Sequence, residues 1–86
     1  MVKETWLVYV LYSVKTGKLY TGISKDPHAR LARHNAGKGA KYTRSGRPWR
    51  IVYLESKDSR GDALRREYEI KCLSREEKIL LVGLSA

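Results

Sequence analysis

One carboxylate in the second half of the sequence stands where a folded helix would be expected to bury apolar side chains. A helix is predicted over about residues 60–73, and at about 100° per residue it places Ala63, Leu64 and Ile70 on one face. Glu67 lies in the middle of that face. Because a carboxylate among apolar residues is costly unless it is paired or bound to a metal ion, Glu67 is predicted to be either the partner of a nearby Arg or Lys or a functional acid.

An arginine and a histidine share one face of an earlier helix. Asp26 is a suitable N-cap and Pro27 a suitable first helical residue, and the helix is predicted to run to about Asn35. Arg30 and His34 are four residues apart within it, so their side chains are neighbours. Each alone is typical of a solvated surface. Together they indicate phosphate handling, since Arg binds an oxyanion through a fixed fork and His donates or accepts a proton.

Two tyrosines are predicted to project from the same face of a β-hairpin whose turn lies at residues 15–18. If the turn contains an even number of residues, Tyr9, Leu11, Tyr20 and Gly22 all lie on that face. Gly22 then leaves an open position beside the two rings. Tyrosines in sheets are most often packing residues, and a glycine in a strand can equally mark a bulge. The pattern therefore leaves a packed face and a binding site as alternatives.

The segment from Lys25 to Arg50 is strongly basic. It contains eight Lys and Arg side chains and one acid, and it supplies seven of the nine net positive charges of the chain. Its cations expected to contact nucleic acid are Lys38, Lys41, Arg44 and Arg47. Its glycines and flat side chains are Gly37, Gly39, Gly46, Tyr42 and Trp49. This composition favours a nucleic-acid partner over a solvated basic surface. A membrane is disfavoured because the segment lacks the apolar stripe of an interfacial helix.

The elements that must position these residues follow from local patterns. Strands are predicted over about residues 5–13, 19–24 and 49–55, and helices over 27–35, 60–73 and 75–82, with one helical turn around 40–43. Ser74 and Glu77 form a capping-box pattern at the start of the third helix. The order ββαβαα predicts an α/β protein of the α+β type, with a small three-stranded antiparallel sheet flanked by helices.

Length and cysteine content bound the remaining possibilities. The 86 residues are expected to form a single domain. One cysteine, Cys72, excludes an intramolecular disulfide, and with two histidines it cannot complete a structural zinc site. The apolar run from Trp6 to Tyr12 is too short to span a bilayer. The cytoplasm is the expected compartment.

These residues, taken in order, resemble the GIY-YIG nuclease superfamily. The two triplets of that family correspond to Leu7-Val8-Tyr9 and Tyr20-Thr21-Gly22, followed by its Arg, His and helical Glu as Arg30, His34 and Glu67. The stretches 34–44, 47–49 and 63–68 are similar to a branch of short standalone bacterial proteins and to the nuclease subunit of the structure-selective junction endonuclease. The resemblance covers about Trp6 to Leu81. The chain departs from it at Leu7, Val8 and Thr21, positions that shape strands.

The resemblance implies a metal-dependent endonuclease acting on nucleic acid, with DNA favoured over RNA. Glu67 would hold one divalent cation, Mg²⁺ or Mn²⁺, and Arg30 would neutralise charge on the phosphoryl oxygens. Tyr9 would deprotonate the attacking water with help from Tyr20 or His34, which requires nearby cations and the metal ion to lower a phenol pKa of about 10. Because related nucleases carry separate targeting domains, a protein partner that supplies substrate targeting is also expected.

A binding module is the alternative function. The same basic segment at residues 25–50 would hold DNA or RNA without cutting it. A third interpretation, a domain active only within a complex, predicts that Trp49 is exposed, whereas a Trp at the start of a strand is usually part of the core. The presence of all five expected side chains favours the nuclease.

Overall fold

The computed structural model describes residues 5–84. Its elements are β1 (Trp6–Ser13), β2 (Leu19–Ser24), α1 (Pro27–Asn35), β3 (Trp49–Lys57), α2 (Arg60–Lys71) and α3 (Arg75–Val82), with a 3₁₀ turn at Lys41–Thr43. The strands form one antiparallel sheet in the order β2-β1-β3. The predicted order ββαβαα and the α+β class are confirmed. Two boundaries differ from the prediction by two residues: β3 extends to Lys57 and α2 ends at Lys71.

The hairpin of β1 and β2 has the register expected from its two tyrosines. Tyr9 pairs with Gly22 and Leu11 with Tyr20, so these four residues share one face. The turn is closed by Gly17, which has φ of 76° and donates its N–H to the Ser13 carbonyl at 2.8 Å. The register therefore places both phenols on the same side of the sheet.

The continuous apolarity of β1 is explained by its central position, since both of its faces are covered. Val8 and Val10 pack against Ala63 and Ile70 of α2 in one core cluster. The alternate residues, Tyr9 and Leu11, pack with Trp49 in a second cluster, to which Leu31 of α1 contributes. The two faces of this strand thus contribute to two different cores.

The orientation of α2 is set by Arg66. Its guanidinium Nε lies 3.0 Å from Glu55 Oε2 on β3, and Glu55 Oε1 accepts the Tyr53 hydroxyl at 2.5 Å. Ala63 and Ile70 are fully buried on the helix face against the sheet. Because these contacts fix the rotation of the helix, the next residue, Glu67, is directed away from β3.

The helix ends follow the predicted capping chemistry. Asp26 accepts the Ala29 N–H at 3.1 Å at the start of α1. Ser74 and Glu77 form the predicted capping box at the start of α3.

Cys72 is a free, exposed thiol. Across residues 5–84, every helix falls short of the length and apolarity needed to cross a membrane.

Candidate active site

A cleft of about 390 Å³ is lined by β1 and the edge strand β2, by α1 and α2 and by the loop that follows α1. All five side chains predicted to carry chemistry line it, namely Tyr9, Tyr20, Arg30, His34 and Glu67. They come from four different elements, and residues 9 and 67 are far apart in the sequence. This is a geometric convergence, and the chemical role of each residue stays a prediction.

A chain of hydrogen bonds runs from Tyr9 into the loop. The Tyr9 hydroxyl lies 3.1 Å from His34 Nε2, and His34 Nδ1 lies 2.8 Å from Thr43 Oγ1. The Thr43 hydroxyl donates its one proton to the Ala40 carbonyl at 2.8 Å. Thr43 must therefore accept from Nδ1–H of His34, which leaves Nε2 of the neutral imidazole to accept from Tyr9. The network thus assigns the tautomer of His34.

His34 is a buried residue, not a surface one. Only 2% of it is exposed, and the single-residue interpretation of His34 as a surface polar side chain is wrong. Burial, reinforced by the charges of Arg30 and Arg33, lowers the pKa of His34 below its ordinary value of 6.5. The imidazole is consequently neutral at physiological pH and free to accept a proton at Nε2.

The protein's own side chains do not lower the pKa of Tyr9 as expected. Burial raises the pKa of Tyr9 to about 12, and the nearby Tyr20 and Glu67 act in the same direction. Arg30 opposes them but is outweighed. The sequence shows the surplus of cations and gives no measure of burial, which here decides the sign. Tyr9 is therefore a phenol at neutral pH and donates its proton to His34.

Two glycines allow the rings to approach the backbone closely. A Cβ at Gly22 would lie 2.5 Å from Tyr9 Oη and 2.6 Å from Cζ, so the Tyr9 ring occupies the position predicted to be open. A Cβ at Gly39 would overlap the imidazole of His34. Gly22 thus makes room for the Tyr9 ring, and Gly39 makes room for the imidazole of His34.

Glu67 has a basic partner and also lines the cleft, so the structure contains elements of both interpretations left open for it. Its side chain is 19% exposed, and Oε2 lies 3.5 Å from Nζ of Lys71, one helical turn later. Lys71 is itself half exposed, so the pair is solvated and the carboxylate still lines the cleft. Leu64 is also exposed in part and lines the cleft, and its predicted burial is wrong.

The donor set around Glu67 suits a cation that keeps most of its water. Within residues 5–84 no group of three or more His, Cys, Asp or Glu side chains could hold a metal ion. Mg²⁺ is commonly held by one or two carboxylates together with substrate phosphates and water, so one carboxylate facing an open cleft fits it. A closed protein cage for zinc or calcium does not fit.

Two residues of the site were not predicted from the sequence. Arg60 lines the cleft with Leu64 and Glu67, and the 60/64/67 spacing on one helix face could have identified it. Thr43 is fully buried beside His34. Nothing in its sequence position distinguishes Thr43 from the other residues of a short helical turn.

The four cations predicted to contact nucleic acid do not share one location. Lys38 lines the cleft, whereas Lys41, Arg44 and Arg47 are exposed on the loop outside its lining. Arg47 Nε donates to the Arg44 carbonyl at 3.0 Å. Trp49 is buried, and its indole N–H donates to the Thr43 carbonyl at 2.7 Å, as expected for a core residue.

Comparison with known proteins decides the family. A family model described as the GIY-YIG catalytic domain matches residues 5–79. The chain belongs to the GIY-YIG family. Each of the five cleft residues of this GIY-YIG chain falls within the matched segment.

Several similar proteins are bacterial and of nearly the same length. The UPF0213 protein SSP2268 of Staphylococcus saprophyticus is 48% identical over 76 residues, which cover 88% of this chain and 92% of the relative. The UPF0213 protein SH2523 of Staphylococcus haemolyticus is 49% identical over 75 residues, covering 87% and 90%. The solution NMR structure of the UPF0213 protein BH0048 from Bacillus halodurans is 44% identical, with a TM-score of 0.58, covering 92% of this chain and 83% of that chain. The predicted resemblance to short bacterial GIY-YIG proteins is confirmed.

Proposed function

We propose that this GIY-YIG domain is a metal-dependent endonuclease that hydrolyses phosphodiester bonds in nucleic acid, with DNA as the preferred substrate. The observation that carries the proposal is the convergence of a carboxylate, an exposed guanidinium and a buried Tyr–His pair in one cleft. These are the groups required to hold a cation, to neutralise a phosphate and to move a proton.

The carboxylate of Glu67 is the proposed ligand of the divalent cation, Mg²⁺ or Mn²⁺. When bound, such a cation stabilises the charge of the scissile phosphate and of the leaving oxygen. Arg30 is exposed at the cleft, where its guanidinium can bind the phosphoryl oxygens through paired hydrogen bonds. Arg60 provides a second cation on the same side as Glu67.

The Tyr9–His34 pair is the proposed base. Tyr9 Oη takes a proton from the attacking water as its own phenolic proton passes to His34 Nε2, which lies 3.1 Å away. The imidazolium that forms keeps its Nδ1–H bond to Thr43. Burial is the main reason for the low pKa of His34, and a phosphate bound at Arg30 offsets the positive charge that lowers it further, so substrate binding favours this transfer.

Cleavage by purified protein tests the proposal. We expect nicking or cutting, in the presence of Mg²⁺ or Mn²⁺, of at least one member of a panel of plasmid, junction, flap, single-stranded DNA and RNA. EDTA and the substitutions Glu67→Ala and Glu67→Gln should each reduce the rate by about 100-fold or more, because removal of even one preorganised hydrogen-bond donor to a transition state has an effect of this size. Binding should be largely retained.

The matched control is Glu69→Ala, which removes an exposed acid of the same helix that pairs with Arg66 outside the cleft. It should cleave at the wild-type rate. Tight binding without cleavage across the whole panel and with both metals would instead establish the alternative function, a non-catalytic binding module.

A further inference from the structure

A second groove lies beside the cleft and has no role in the chemistry described above. It has a volume of about 190 Å³ and is lined by Lys18, Leu19, Tyr42, Arg75 and Lys78. These residues come from the β1–β2 turn and β2, the 3₁₀ turn and the first turn of α3. The groove is thus assembled from three separate parts of the chain around one aromatic ring.

The charge of this groove is of one sign. Three of its five lining residues are cations, and none is an acid. The acids of the first turn of α3 do not line it, and Glu77 is held by its capping bond to the Ser74 N–H. Arg75 is oriented by its bond to the Gly17 carbonyl at 3.0 Å. A site of this composition attracts a polyanion.

The aromatic ring in the groove is connected to the cleft. Tyr42 is 50% exposed, and its ring stacks on Tyr20 with centroids 6.0 Å apart and planes inclined by 25°. Tyr20 in turn lies 5.1 Å from the imidazole of His34. A strand that has its scissile phosphate in the cleft therefore has Tyr42 within reach of a nearby base.

We propose that this groove binds an unpaired nucleotide close to the scissile phosphate, with its base stacked on Tyr42 and its phosphates contacted by Lys18 and Lys78. The proposal rests on the proposed function, since it assumes that the strand passes through the cleft. Base stacking on an aromatic ring is stronger than an exposed cation–π contact. The Lys18 ammonium, 5.9 Å from the Tyr42 ring centroid, is consequently displaced towards the backbone.

The geometry also defines the class of substrate. A base in a continuous duplex has both faces covered by its neighbours, so it cannot stack on a protein ring without leaving the helix. The preferred substrate therefore carries a single-stranded nucleotide next to the bond that is cut. A perfect duplex should bind through its phosphates alone and should not depend on Tyr42.

Equilibrium binding in EDTA tests this inference independently of cleavage. The measurement is fluorescence anisotropy of a labelled single-stranded DNA and of the matching duplex with the wild type, Tyr42→Leu and Tyr42→Phe. Tyr42→Leu should weaken single-strand binding about tenfold and leave duplex binding unchanged, and Tyr42→Phe should restore it. 2-Aminopurine placed in the single strand should be quenched by the wild type and by Tyr42→Phe only.

A second variant keeps the test valid if Tyr42→Leu disturbs the rings packed against it. The double substitution Lys18→Gln and Lys78→Gln should reduce the dependence of log K on log salt by about 1.4, the value for two phosphate contacts on a single strand. Arg65→Gln is the matched control, because Arg65 is exposed on α2 and lines neither the cleft nor this groove. It should behave as the wild type.

The outcomes separate this inference from the proposed function. If single-strand binding is unchanged in both Tyr42→Leu and the double variant, the groove does not bind an unpaired nucleotide, whether or not the protein cleaves. Binding that is weakened as expected supports the groove, even if the cleavage panel shows no cutting and the proposed function fails.

Discussion

The Tyr9 ring lies in the space that a side chain at residue 22 would otherwise occupy. Gly22 pairs directly with Tyr9 across the hairpin, and the ring folds back over it to reach His34. The hydroxyl of Tyr9 therefore owes its position to the absence of one carbon atom on the neighbouring strand. A residue without chemistry of its own thus becomes part of the site.

We predict that Gly22→Ala displaces the Tyr9 ring and breaks its bond to His34. Cleavage should fall by about tenfold or more, and the free energy of unfolding should fall by about 1–3 kcal/mol, the usual cost of overpacking. The measurements are cleavage rates and urea unfolding. Gly61→Ala is the control, because the nearest atom to its new Cβ is Ser59 Oγ at 3.9 Å. Equal activity in Gly22→Ala and the wild type would contradict the prediction.

We predict a stability change with pH that belongs to His34. Its folded-state pKa is lowered, so between that value and about 6.5 the unfolded chain binds a proton that the folded protein does not. This contribution to stability is complete above pH 6.5 and is lost as the pH falls towards the lowered pKa. Urea unfolding at pH 7.5 and pH 5.5 should show a smaller loss for His34→Gln than for the wild type. An equal loss in both proteins would refute it.

The sequence predicted which side chains line the cleft together, but it predicted neither the direction of the Tyr9 pKa shift nor the hydrogen-bond partner of His34. The spacing of Arg30 and His34, and the placement of Glu67 on its helix face, are periodic patterns that need no knowledge of tertiary contacts. The direction of the Tyr9 pKa depends on burial, and the partnership of His34 with Thr43 depends on how a loop folds back. Neither is encoded in local spacing.

The C-terminal end of α1 is attached to the start of β3 by one amide side chain. Asn35 Oδ1 accepts the Trp49 N–H at 2.6 Å, and Asn35 Nδ2 donates to the Trp49 carbonyl at 3.0 Å. Between these two points runs the basic loop that carries Thr43 and Lys38. The clamp therefore fixes the ends of the loop that supports His34.

We predict that Asn35→Ala lowers the free energy of unfolding by about 2 kcal/mol, since two hydrogen bonds of about 1 kcal/mol each are lost. Asn35→Asp keeps the acceptor for the Trp49 N–H but places a carboxylate oxygen against the Trp49 carbonyl, so it should also be less stable than the wild type. Chemical denaturation measures both. Indistinguishable stabilities for Asn35→Ala and the wild type would show that the clamp contributes nothing.

The element boundaries that were predicted correctly are those set by capping residues next to them in the sequence. Asp26-Pro27 and the Ser74–Glu77 box define helix starts within a few residues of sequence. The end of β3 is different, because the strand continues to Lys57 by pairing with Trp6 at the start of β1. The register shift between Val10 and Leu11, where β3 has one extra residue, likewise arises from pairing across the sheet and has no local pattern.

The net charge of +9 is a property of the whole molecule, and it sets how the protein responds to salt. We predict that affinity for single-stranded DNA falls steeply with salt, because binding releases counterions from the phosphates. Replacing the cations Lys38, Lys41, Arg44 and Arg47 by Gln should make the slope of log K against log salt shallower by about 3. Titrations at several salt concentrations measure it.

The control for this prediction is Arg65→Gln, which should leave the slope unchanged. A flat salt response of the wild type would exclude nucleic acid as the partner. A slope unaffected by the four substitutions would place the phosphate contacts elsewhere, on the cleft arginines and on the groove that contains Tyr42.

Tyr9 belongs to the same packed cluster as Leu11 and Trp49. The proposed reactive phenol is thus anchored in the hydrophobic interior, on the middle strand of the sheet. A volume-conserving substitution such as Leu11→Met, which usually costs less than about 1.5 kcal/mol, should leave the fold intact and still alter the position of the Tyr9 ring. The reactivity of the site therefore depends on interior packing as well as on the residues that line the cleft.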